Sequence, residues 1–565
     1  MRADEWIVDF LIKKGVTDIF GIPGAVIIDF LYAIDARSPE IVPHLSYHEQ
    51  GGAYEACGYA QASGKLGVAY ATRGPGFTNM LTAICDAYYD SIPTMFFSAH
   101  SSIEIDSDMR VLNNQEIDTV SIARHMTKYA VRIDSVSELQ YQVMYAYQLA
   151  TAGRKGPVFL DILTSVFSEE VDSAKFVPIP VATEYQDKSI EAAKQTAKYV
   201  QESRRPVFLI GNGVRDICSI AALKHMAKKY EIPILSSRIG QDIVPDSEEY
   251  FGFVGSRGTR YSNFIISKSD LIISIGNRMS FPTKSKSFRP IVENSFTIRV
   301  EVDPAELKRD IPNSISYTAT ASQFLQALLN EDLEYHGSND WWSVCCRLRD
   351  TLRCWDEIPV IALVRQIIEK AGSDAVLSCD VGNHSFWVTS AHAYSGKPNR
   401  ILYSGSFGVL GCALPKAIGA YYSTGKPSVC FVGDQGIQFN MQEMQLIAQN
   451  RLPITVVILN NRSSGMIMER EKIRYGNHYL HTTVGSGYSY PNFKVLAELY
   501  EFEYRLLDAM NSRTVMDFTL GVGPVLLELM VDDNTTLSPT LPQGAPCQDL
   551  APPLSRDVYM QLDAL

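Results

Sequence analysis

Short apolar runs that end in turn residues and hand over to helical segments rich in small residues recur along this chain. That alternation limits the possible folds more than any other feature. Runs with little polar alternation are buried on both faces, as are the strands of a parallel sheet wrapped by helices. In the first part of the chain Asp18 to Phe20, Ile41 to Leu45, Gly67 to Ala71, Pro93 to Ser98 and Val158 to Ile162 have this character, with helices beginning near Gly24, Glu49 and Gly76. A second stretch holds RRPVFLIGNGV, EIPILSS, a long connection, SDLIISIGNRM and FTIRVEVDPAEL. A third holds AVLSCDVG, ILYSGSFG, PSVCFVGD, PITVVILNN and GPVLLELMV. The expected fold class is α/β, with three doubly wound parallel-sheet domains over residues 1–170, 185–335 and 355–535. Residues 536–565 read as a C-terminal arm or lid, and VDSAKFVPIPVATEYQDKS and NEDLEYHGSNDWW read as linkers.

Acidic residues outnumber basic ones, 63 against 51, for a formal charge of −12, so nucleic acid and anionic membrane are poor partners. The longest apolar stretches, such as Val456 to Leu459, fall far short of the roughly 20 residues a spanning helix needs. The opening MRADEWIVDFLIKKG has no signal-peptide pattern, and a cytoplasmic protein is expected. The ten cysteines include no C-x-x-C pair and read as buried thiols rather than a zinc or redox site.

Chemistry concentrates in the third stretch. Val432-Gly433-Asp434-Gln435-Gly436 is followed, a helix and a strand later, by Asn460-Asn461-Arg462-Ser463. Asp434 and Asn461 each stand at the carboxyl end of an expected strand, where open parallel sheets bind ligands. Phe439, Met441, Met444, Ile447 and Ala448 recur at helical spacing between them, predicting a helix whose amino terminus faces the loop. Two hard oxygen ligands beside such a terminus suit a magnesium ion carrying a diphosphate. In the first stretch Glu49 stands between strand IVPHLS and the helix GGAYEACGYAQASG, where an acid also simply stabilises the first turn.

With these motifs the chain resembles the thiamine-diphosphate-dependent enzymes, whose diphosphate motif is G-D-G followed by N-N. Within them it is most similar to the catalytic subunit of the acetohydroxyacid (acetolactate) synthases, over nearly its whole length. The resemblance implies a pyrimidine-binding first domain, a central domain and a diphosphate-binding third domain. Asp434 and Asn461 would bind Mg2+, with the Ser463 carbonyl as third protein ligand. Gln435 replaces the motif's second Gly, so the loop is expected to depart locally from the family, with Gly436 taking over part of that role. Glu49, in an H-E-x-x-A setting, would hydrogen-bond N1′ of the cofactor's aminopyrimidine and drive its activation. Gly74 belongs to Arg73-Gly74-Pro75-Gly76-Phe77-Thr78-Asn79, which matches the G-P-G-x-x-N turn. In Ser404-Gly405-Ser406-Phe407-Gly408-Val409-Leu410-Gly411, Leu410 would force the cofactor rings into a V, and the Gly408 carbonyl would accept from the 4′-amino group. Asn383, His384, Gly433, Gly465 and Met466 complete the implied cofactor contacts.

The substrate end is where the chain departs from the synthases. Gln115 and Lys128 match the F-Q-E-x-D and T-K-H stretches and would face the reacting carbons. Asn114 replaces a Phe, Arg470 replaces the Trp of G-M-V-x-Q-W, and Pro282 stands where the synthase pattern has an Arg that clamps the second 2-keto acid. Ala25 and Val26 replace Gly and Ala, which keeps the donor end compact and suits pyruvate or a related 2-keto acid. The expected function is a carboligase that decarboxylates such an acid and adds the acyl-anion equivalent to a second carbonyl compound, a keto sugar being one candidate. Acetolactate synthase proper and a 2-keto acid decarboxylase are the alternatives. The decarboxylase would use paired histidines, and no adjacent pair occurs although His48 and His384 are available. In the central stretch Gly211-Asn212-Gly213 is a lone G-x-G and by itself no nucleotide motif, whereas Gly255-Ser256-Arg257-Gly258-Thr259-Arg260, Gly276-Asn277-Arg278 and Glu301-Val302-Asp303-Pro304-Ala305 resemble flavin-contacting segments, so FAD is a possible second cofactor. The family's site is assembled across a subunit interface, which implies a homodimer or homotetramer.

Overall fold

The computed structural model describes residues 1–101, 110, 113–172, 185–281, 285–333, 335, 339–509 and 520–565. The described strands form three six-stranded sheets, each entirely parallel. The first comprises β1 (Asp18–Gly21), β2 (Val42–Leu45), β3 (Gly67–Tyr70), β4 (Thr94–His100), β5 (Tyr129–Ile133) and β6 (Pro157–Leu163), in the order β2-β1-β3-β4-β6-β5. The second comprises β7 (Pro206–Ile210), β8 (Ile234–Ser236), β9 (Tyr250–Phe253), β10 (Leu271–Ile275), β11 (Phe296–Glu301) and β12 (Ser314–Thr318), in the order β12-β11-β10-β7-β8-β9. The third comprises β13 (Val376–Cys379), β14 (Ile401–Tyr403), β15 (Ser428–Gly433), β16 (Ile454–Asn460), β17 (Glu503–Asp508) and β18 (Val525–Met530), in the order β14-β13-β15-β16-β18-β17.

The chain divides into two compact units, one carrying the first and third sheets and the other the second sheet with Thr535–Leu565. In the first unit Cys430, Val432, Val456 and Ile458 of the third sheet pack on Ile418, Met444 and Ile447 from the helices that cover it. The helix Glu49–Ser63, which leaves the first sheet, lies against Ala413–Thr424, which leaves the third. The two backbones approach so closely that a Cβ at Gly58 would collide with the Lys416 carbonyl, and one at Gly419 with that of Glu55. Only glycine permits that separation, so the small-residue composition of the two helices is a packing requirement.

In the second unit the tail that reads as an arm or lid is bedded in apolar packing, with Cys547, Leu554, Tyr559 and Leu562 against Phe264 and Trp341. The buried Arg260 guanidinium donates to the carbonyls of Leu550 (2.8 Å) and Pro552 (2.6 Å) and pairs with Asp356. Most of the first linker and part of the second lie outside the described residues.

The helix expected after Asp434 is shorter than its spacing suggests. Gly436–Phe439 and Met441–Glu443 are 3-10 turns, and the α-helix runs only from Met444 to Gln449. Asn440 breaks the run: its side chain donates to the Gly411 carbonyl at 2.8 Å, and Phe439, counted on the apolar face, is half exposed.

Candidate active site

Four segments converge at the carboxyl edge of the third sheet, because β14, β13, β15 and β16 are neighbours and run the same way. They end in Ser404, Asp380, Asp434 and Asn461. Asp434 is 2% exposed and its Oδ2 has no hydrogen-bond partner. Burial raises its pKa to about 7, against opposition from Tyr488 and nearby backbone amides. A carboxylate so placed is short of a cation. Asn383 Oδ1 and Ser463 Oγ are likewise buried without a partner. A Cβ at Gly465 would stand 2.6 Å from Asn461 Nδ2 and 3.0 Å from Asn383 Nδ2, so those two amides and the start of the helix Gly465–Tyr475 enclose one small space. Buried polar atoms are normally satisfied, and a cluster of unsatisfied oxygens fits a bound cation and its anionic ligand.

The two asparagines divide the work. Asn460 Oδ1 accepts from the Arg462 amide at 3.1 Å, while its Nδ2 donates to Glu528 at 2.7 Å. This holds Arg462 at φ 55°, a left-handed conformation costly for a side chain, and turns Asn461 and Ser463 to the edge. Asn460 therefore shapes the turn that carries Asn461 and Ser463.

Gln435 takes φ −84° and ψ −45°, ordinary right-handed helical values, so the position does not need glycine's freedom. Gly436 does need to be small, since a Cβ there would collide with Asp380 Oδ2. Asp380 is fully buried, accepts from the amides of Gly411 (2.9 Å) and Cys412 (3.2 Å), and has its pKa pushed up to about 6 by burial, against those amides. It ties the Leu410 turn to the Asp434 loop. Gly433 packs on the ring of His384, whose Nε2 is buried without a partner and whose pKa burial lowers to about 4. His384 is thus neutral near pH 7. Gly408 has φ 79° and Leu410 is half-buried on the same turn; Met466 is exposed.

At the carboxyl edge of the first sheet, Glu49 opens its helix and accepts from Asn79 Nδ2 at 2.9 Å through Oε2. Gly74 takes φ 59° and lies against the Gln115 carbonyl. Arg73 of that turn pairs with Glu116 at 3.1 Å. Gln115 is therefore brought to the turn that carries Asn79. Ala25, Asn114, Gln115 and Arg470 are exposed, and Val26 is buried.

Lys128 takes a different place from the one its motif suggests. It precedes β5 at the amino edge of the sheet, opposite the edge that carries Glu49, and its ammonium donates to the carbonyls of Ala152 (3.0 Å) and Arg154 (2.7 Å). Pro282 lies outside the described residues. Asp380 and Glu443, which accepts from the amides of Tyr47 and His48, are absent from the motifs, and Asn460, present in the N-N pair, has no role assigned there. Asp380 stands at a strand's carboxyl end as Asp434 does, a signal the sequence contains; Glu443 has none.

At the central sheet Gly213 donates its amide to the Gly276 carbonyl at 3.2 Å, so this glycine pattern joins two backbones. Asp303 caps its own turn through the Ala305 amide at 2.8 Å, and Arg257 stacks on Phe386.

An edge of adjacent parallel strands bearing a buried, unpartnered carboxylate oxygen and two amides, together with a carboxylate opening a small-residue helix, fits the class of enzymes that hold a diphosphate cofactor through a cation. The comparisons give the family. Residues 1–122 match the thiamine pyrophosphate enzyme N-terminal TPP binding domain, 193–328 the central domain and 380–528 the C-terminal TPP binding domain. The chain is 31% identical over 567 residues to the acetolactate synthase large subunit of Lactococcus lactis subsp. lactis (strain IL1403), covering 96% of this chain and 94% of that protein. It is 29% identical to the acetolactate synthase isozyme 2 large subunit of Escherichia coli (strain K12), covering 98% and 100%. The chain belongs to the thiamine pyrophosphate enzyme family, in the acetolactate-synthase-like branch. Among the described residues no helix is long and apolar enough to cross a membrane.

Proposed function

We propose that the protein is a thiamine-diphosphate- and magnesium-dependent carboligase. It decarboxylates pyruvate or a related 2-keto acid and adds the two-carbon acyl-anion equivalent to a carbonyl compound other than an ordinary 2-keto acid, a keto sugar being a candidate. The observation that carries the cofactor assignment is the buried, unpartnered Oδ2 of Asp434 at a strand's carboxyl end, beside the neighbouring strand end whose Asn461 amide meets that of Asn383 at Gly465. When bound, the cofactor would supply a nucleophilic thiazolium C2 and, in the same cationic ring, the electron sink for decarboxylation.

Asp434, Asn461 and the Ser463 carbonyl hold the cation and through it the diphosphate. Glu49 exchanges a proton with the aminopyrimidine N1′, and Asn79 orients its carboxylate. The Gly408 carbonyl accepts from the 4′-amino group and Leu410 supports the rings. Ala25 and Val26 border a compact donor, and Gln115 faces the reacting carbons. Asn114 and Arg470 offer polar donors to the acceptor. Lys128 is left out of the chemistry because its ammonium is spent on two backbone carbonyls. FAD is a candidate second cofactor, at the glycine and acidic segments of the central sheet. A homodimeric or homotetrameric, cytoplasmic enzyme completes the reading.

A second reading, acetolactate synthase itself, is favoured by the names of the relatives. Carbon dioxide release and ligation products from pyruvate with a panel of aldehydes, keto acids and keto sugars separate the two. In Arg470→Trp a planar cation becomes an apolar slab, and selectivity against the polar acceptor should change by about 1–3 kcal/mol while decarboxylation survives. If wild type makes acetolactate best from pyruvate alone and the variant keeps the same acceptor preference, acetolactate synthase is the correct reading.

A further inference from the structure

The last sheet bond of the segment leading to Glu49 is made by the Ser46 amide, which donates to the Gly21 carbonyl at 3.0 Å. The next two amides have no strand beside them. Both are taken by one side chain from the third sheet: Tyr47 N lies 3.1 Å from Glu443 Oε1 and from Oε2, and His48 N lies 3.0 Å from Oε1. Glu443 is completely buried, and it follows the Asp434 loop. We propose that Glu443 is a positioning residue for Glu49: by gripping the two amides ahead of the Glu49 helix it fixes the direction in which that helix presents its first carboxylate. The inference rests on the proposed role of Glu49 as proton partner of the cofactor.

One general argument and two observations support a built clamp. Charge-assisted bonds to backbone amides are roughly twice as strong as neutral ones, and a carboxylate alone offers both amides an acceptor without a competing donor. Gly51 lies in the first turn of the helix where a Cβ would collide with Glu443 Oε1, so the sequence leaves room for the carboxylate there. Glu55, wholly buried, accepts from Ser46 Oγ at 2.7 Å, and burial followed by the charge of Glu443 raises its pKa well above the ordinary value. Two neighbouring buried carboxyls do not both ionise readily, and Glu55 stands as the neutral member. Glu443 makes the helix start at His48 and Glu49 a point fixed from two sheets of one unit.

The test uses the enzyme loaded with thiamine diphosphate and magnesium. Proton/deuterium exchange at C2 of the bound cofactor is measured beside cofactor affinity by calorimetry, in Glu443→Gln, Glu443→Asp, Gly51→Ala and the double variant Gly51→Ala/Glu443→Gln, with Glu49→Gln as reference. Glu443→Gln is expected to slow exchange at least tenfold with affinity within threefold of wild type, and Glu443→Asp, which keeps the charge on a shorter arm, to fall between. Gly51→Ala favours the helix by itself, yet displaces the carboxylate, and it should slow exchange similarly, so the outcome does not depend on the folding of a Glu443 variant. The double variant should be no slower than the slower single one. Wild-type exchange in folded Gly51→Ala or Glu443→Gln, equal losses of affinity and exchange, or additive effects in the double variant would overturn the clamp. Unchanged exchange in Glu49→Gln would instead remove the reading on which the clamp rests.

Discussion

Replacing Lys416 by Met should destabilise the unit that carries the first and third sheets by about 3–5 kcal/mol, the usual cost of breaking a buried ion pair from one side. Lys416 and Asp86 have no exposed side-chain surface, and Nζ lies 2.7 Å from Asp86 Oδ2 and 3.0 Å from the Tyr403 carbonyl. Burial works against the ammonium's charge and is the largest single influence, yet the attraction of Asp86 together with that of Cys412, Cys57 and Asp90 exceeds it and raises the pKa above the ordinary value. Met has similar length and no charge, so its own packing cost is small. What remains is Asp86, still accepting from Ser404 Oγ at 2.6 Å but with its other oxygen uncompensated next to Asp90. Urea unfolding followed by circular dichroism and fluorescence measures the loss, provided both probes report one transition. The cycle is completed by Asp86→Asn and the double variant, in which the second substitution should cost about 1–3 kcal/mol less than it does in wild type. A cost below about 1 kcal/mol for Lys416→Met, or additivity within about 0.5 kcal/mol, would refute the claim that this pair is desolvated and coupled.

Asp434→Ala should abolish the magnesium dependence of cofactor affinity in calorimetry, because the proposed site anchors the cation on the unsatisfied Oδ2; retained dependence would place the metal elsewhere. Glu49→Gln keeps size and the Asn79 contact but loses the exchangeable acid, so cofactor binding should persist while C2 exchange falls at least a hundredfold, on the order of 3 kcal/mol of barrier. Asp380, raised by burial from 3.8 to about 6, stabilises the fold most below about pH 4, and this contribution is lost as pH rises through about 6. Its full span is about 3 kcal/mol, and Asp380→Asn should flatten the corresponding slope in denaturation midpoints measured from pH 4 to 8. An unchanged slope would show that another group carries it.

The strands that the sequence leaves unmarked are β5, β9, β12 and β17, and each is the outer strand of its sheet. An outer strand is covered on fewer sides, so its residues need not be uniformly apolar: β17 exposes most of its length, and β12 is buried only at Tyr317. Interior strands such as β15 and β16 are buried throughout and announce themselves as apolar runs. The same local logic makes Asp434, Asn461 and Glu49 legible, since each follows such a run at the edge where ligands bind. Local pattern does not record which distant group comes to meet a segment. Glu443 and the His48 amide it holds are 395 residues apart, and Lys416 and Asp86 are 330. Nothing in ALPKAIGA marks its lysine as buried. Lys128, legible as a motif residue, is placed by the direction of β5 at the edge away from Glu49. Sequence determined the strands that read as apolar runs, the edge at which they end and the polar residues that stand there, because burial and turn chemistry are local. The buried carboxylates and the lysine that hold those segments in place were decided only by the packing of one sheet's helices on another's, because their partners exist only once the chain has folded.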